Sequence, residues 1–66
     1  MSNKLTDTQA LVLATVKDRP RLTVEDYANM LGNTPEVYGA FAYLIFQAQL
    51  LKIDEVNMAI EPKGIY

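Results

Sequence analysis

Residues 34–51, TPEVYGAFAYLIFQAQLL, decide how this chain is read. Thr34 is an N-cap residue, Pro35 suits the first helical position because its missing N–H would have no partner there, and Glu36 meets the positive end of the helix dipole. A helix is therefore predicted from Thr34 to Leu51. From Val37 to Leu51 it carries no charged residue. A helix on the surface of a small domain normally shows water a charged face, so an outer face of Tyr, Phe, Gly, Ala and Gln calls for a partner.

Two registers satisfy the spacing. In the first, Val37, Phe41, Leu44, Ala48 and Leu51 face the core, and Glu36, Gly39, Tyr43 and Phe46 face out. In the second, Tyr38, Phe41, Ala42, Ile45 and Ala48 turn inward, and the outside becomes Glu36, Gly39, Ala40, Tyr43 and Gln47. Gly39 and Tyr43 are outside in both.

Upstream of this helix, Thr6-Asp7-Thr8-Gln9 is a capping box and starts a first helix with an apolar stripe of Ala10, Val12, Leu13, Ala14 and Val16. Asp18-Arg19-Pro20 ends it, because the residue before proline is pushed out of the helical region. Arg21 and Leu22 read as a short extended connector. Thr23 caps a second helix with Glu25 and Asp26 in its first turn, the stripe Val24, Tyr27, Ala28 and Leu31, and Gly32 as a left-handed stop. Only Asn33 lies between that glycine and the Thr34 cap, so the second and third helices form a helix-turn-helix.

Downstream the period changes from helical to alternating. Leu51 and Ile53, then Met58 and Ile60, bracket Asp54-Glu55-Val56-Asn57, with Lys52, Asp54 and Glu61 on the wet side, and this reads as a β-hairpin. Pro62 closes its second strand, and Lys63-Gly64 turns the chain before Ile65 and Tyr66. Met1 to Leu5 is a short polar lead-in.

Composition bounds the function. With 66 residues there is one core, and the whole chain 1–66 is read as a single domain. The chain has no cysteine and no histidine, which removes the usual disulfide, zinc and general-base chemistry. Glu25 with Asp26 and Asp54 with Glu55 each have a structural use at a helix start or a turn, no nucleophile is paired with a base, and no glycine-rich phosphate loop is present. The expectation is a protein that is not an enzyme and needs no cofactor or metal. Six basic and eight acidic residues give a net charge of −2, which disfavours a polyanionic partner. No stretch has signal-peptide character or the ~20 apolar residues of a membrane span, so a soluble, cytoplasmic protein is expected.

Three capped helices, a short extended link, a tight turn and a terminal hairpin make the order of a winged helix-turn-helix: mainly α, with three helices and a two-stranded wing. Particular runs carry a closer likeness. Leu5-Thr6-Asp7-Thr8-Gln9 with Val12, Leu13 and Val16 is similar to the first helix of MarR-type winged-helix regulators. Leu22-Thr23-Val24 with Leu31-Gly32 is similar to the second, Phe46-Gln47-Ala48-Gln49-Leu50-Leu51 to the end of the third, and Ile60-Glu61-Pro62-Lys63-Gly64 to the close of the wing. The resemblance implies a transcriptional regulator that reads DNA with the outer face of the third helix and the wing. Its contacts here would be Arg19, Arg21, Lys52 and Lys63, helped by Lys17, with Thr34 and Gln47 among the polar residues.

The chain departs from that pattern where DNA would lie. The matching face offers Glu36, Gly39, Ala40, Tyr43 and Gln47, the wing tip is Asp54-Glu55-Val56-Asn57, and the flanking helices through which MarR-type proteins dimerise are missing. The expectation is a regulatory module acting through protein contact, with a second copy of itself as a homodimer or with another protein. Gly39, Ala40, Tyr43, Phe46 and Gln47 form the contact face. DNA binding is the alternative.

Overall fold

The computed structural model describes residues 4–63. Its order is α1 (Asp7–Asp18), β1 (Leu22–Thr23), α2 (Val24–Leu31), α3 (Pro35–Ala42), a π-helical segment (Tyr43–Gln47), β2 (Leu51–Asp54) and β3 (Ala59–Pro62). The fold is thus mainly helical with a small antiparallel sheet. Among the described residues no helix is long and apolar enough to cross a membrane.

The helix starts form as their caps dictate. Thr6 accepts from the amide of Gln9 (3.1 Å) while the Gln9 side chain accepts from the amide of Thr6 (3.0 Å). Thr23 and Asp26 make the same reciprocal pair at α2, and the Thr34 hydroxyl accepts from the amide of Val37 at α3 with Pro35 at its first turn. Each pair satisfies amides that the first helical turn leaves without partners. Gly32 adopts φ +104 and stops α2, and Asn33 (φ +56) completes the turn by donating its amide to Ala28 (2.6 Å).

Four expectations change. First, the sheet has three strands in the order β1-β3-β2, not a lone two-stranded hairpin. The connector at Leu22–Thr23 pairs with Ile60 and Ala59, held by the Arg21 amide donating to the Ile60 carbonyl at 2.9 Å. Second, the third helix ends at Gln47, not Leu51. Gln49 turns left-handed (φ +55), the amide of Leu50 bonds back to Leu44 (2.8 Å), and Leu51 starts β2.

Third, Met58 is not in the second strand. It sits in the hairpin loop at φ +57 with its amide on the Asp54 carbonyl (2.6 Å), and the ladder runs from Asp54↔Ala59 to Leu51↔Pro62. Fourth, Ala10 and Ala14 are exposed, so α1 packs through Val12 and Val16, with Leu13 half-buried beside them. The expected turn at Lys63-Gly64 and the residues after it lie largely outside the described part of the chain, as does the start of the lead-in.

The core gathers Val12 and Val16 of α1, Tyr27 and Ala28 of α2, Val37, Ala40 and Phe41 of α3, Leu44, Leu51 and Ile60. No buried side-chain polar atom among the described residues lacks a partner. Tyr27 is fully buried, its ring 5.6 Å from that of Phe41. Its hydroxyl donates to the Arg19 carbonyl and accepts from the Leu22 amide (3.2 Å). Burial pushes the phenol upward from its ordinary value, so it stays protonated and able to donate. Tyr27→Phe removes both bonds and strands two main-chain groups, which costs about 1–2 kcal/mol. Thermal unfolding followed by circular dichroism is expected to show a Tm lower by roughly 5–10 °C.

Candidate functional site

The helical axis that runs from Pro35 to Gln47 presents the candidate face. Val37, Phe41 and Leu44 are buried, as the first register requires, while Tyr38 of the second register is 43% exposed. The expected face is corrected at two positions. Ala40 is buried (3% exposed) because α1 packs directly on α3 along that side. Tyr43, expected outside in either register, is half-buried and packs against the core. Gly39 and Gln47 are exposed as expected, and Phe46 is, among the described residues, the most exposed aromatic side chain, at 71%.

These residues divide between three places. Gly39 and Ala40 line a shallow groove of about 320 Å³ with Thr6, Thr8, Gln9 and Glu36, where the start of α1 crosses α3. Tyr43 and Gln47 line a second hollow of about 330 Å³ with Leu5, Ala48 and Leu50. Phe46 lines neither, and stands on the outer side with Tyr38 and Ala42. Tyr38 and Ala42 are thus surface residues that spacing alone left undecided.

A π-helical segment interrupts the run that carries these three. In an uninterrupted α-helix, residues 38 and 46 are eight positions apart and point roughly 80° from each other. Between Tyr43 and Ala48 the ladder widens to an i→i−5 bond (2.8 Å), and each wide turn brings later residues back toward the line of earlier ones. Tyr38, Ala42 and Phe46, spaced i, i+4 and i+8, are all exposed and share the outer side of the helical run. Gly39 lies beside it with open space where a Cβ would stand, and its φ is not positive.

The residues of the DNA alternative are dispersed and largely engaged. Arg21 holds the unusual φ of +74, and its guanidinium reaches Glu61 (2.5 Å) and Asp54 (3.6 Å) across the sheet. Arg19 is exposed beside Asp18 (3.7 Å). Lys63 donates to the Gln49 side chain at 3.1 Å. The Thr34 hydroxyl is spent on its cap, and Lys52 is exposed on β2. At the tip of the β2–β3 hairpin the Asp54 carboxylate accepts from the Val56 amide (3.0 Å) and the Asn57 side chain (3.1 Å). The Val56 amide chiefly, then Asn57 and more weakly Arg21, hold its pKa below the ordinary value of 3.8. Among the described residues no group of three acidic, histidine or cysteine side chains could hold a metal ion.

Two measurements check this geometry. Because the Asp54 pKa is lower folded than unfolded, its contribution to stability is complete above the unfolded value and is lost as pH falls below 3.8 through the folded value. Asp54→Asn is expected to make acid unfolding shallower across that window. At Gly39, an alanine meets nothing and gains helix propensity, so Gly39→Ala is expected to stabilise the monomer by about 0.5–1 kcal/mol in denaturant titration.

Comparison with protein-family models, with curated proteins and with solved structures finds no match for this chain.

Proposed function

We propose that this chain is a non-enzymatic winged helix-turn-helix module of the cytoplasm, which acts in regulation by protein contact through the outer face of its third helix. The element order, the tight Gly32-Asn33 turn and the three-stranded sheet support the winged-helix reading. The observation that carries the mode of action is the exposed stripe of Tyr38, Ala42 and Phe46, in a helix without a charged residue from Val37 onward. Aromatic side chains bury large areas and lose little conformational freedom on contact, which makes Phe46 and Tyr38 the natural anchors.

A polyanion finds little here. Binding to phosphate depends on cations that release counterions, and Arg21 is already flanked by two carboxylates while the wing tip carries Asp54 and Glu55. The MarR-like reading with DNA contact therefore rests on fold order alone.

A labelled random-sequence duplex mixed with the protein at low salt tests the choice by sedimentation velocity. The expected result is a duplex that sediments as it does alone. Binding that weakens steeply with salt, with a log–log slope reduced by about one in Arg19→Ala or Lys52→Ala, would overturn protein contact in favour of DNA.

A further inference from the structure

We draw no further inference here: the strongest candidate, the exposed apolar pair Val56 and Met58 at the tip of the β2–β3 hairpin, carries none because nothing in the structure shows what covers it.

Discussion

The side chain of Tyr27 joins more of this molecule than any other. Its ring fills the centre of the core against Phe41, and its hydroxyl ties the last carbonyl region of α1, at Arg19, to the first amide of β1, at Leu22. A leucine there would bury similar area but could not bridge two main-chain groups that the break at Pro20 leaves without helical partners. By fixing where α1 stops and β1 starts, the bridge also sets the position from which β3 is paired. The sheet in turn holds Ile60 and Leu51 under helix three, so the outer face of that helix is oriented by contacts on its inner one.

The same pairing explains the acidic hairpin tip. Arg21 takes up a left-handed backbone conformation that disfavours residues with a Cβ, and its amide bonds Ile60 while its guanidinium sits between Glu61 and Asp54. These ion pairs are more than a quarter exposed and contribute modestly to stability. Their larger effect is on distribution of charge: Arg21 is matched by carboxylates of the two long strands, and the hairpin tip is left net negative. Acidic residues that look from sequence like a display toward a partner are therefore partly internal fittings of the sheet. Glu55 alone of the tip carboxylates faces water with no such use shown.

What sequence makes legible here is local chemistry. The three caps, the proline break and the glycine stop each act within about four residues of the chain, and Thr6, Thr23, Thr34, Pro20 and Gly32 all work as their types predict. The third strand is not legible because Leu22 and Thr23 find partners at Ile60 and Ala59, far along the chain, and two residues carry no periodicity. Met58 misleads because hydrophobic alternation places it in a strand, while closure of the four-residue loop needs it at positive φ. In the candidate face, Gly39, Phe46 and Gln47 are exposed as the absence of charge suggested. Ala40 and Tyr43 are not, because periodicity along one helix cannot say from which side a second helix will approach.

The widened turn from Tyr43 to Gln47 ties these threads together. In an uninterrupted helix Tyr38, Ala42 and Phe46 would share one face but drift by roughly 80° across it. The wider ladder reduces that drift, while Leu44 stays fully buried and Ile45 and Ala48 pack at the edge of the core. Two registers that exclude each other in a regular helix are thus each used in part, the first up to Leu44 and features of the second beyond it. A helix accepts poorer hydrogen-bond geometry over that segment, and a weakening glycine before it. Both concessions fall on the helical run that carries the exposed Tyr38 and Phe46.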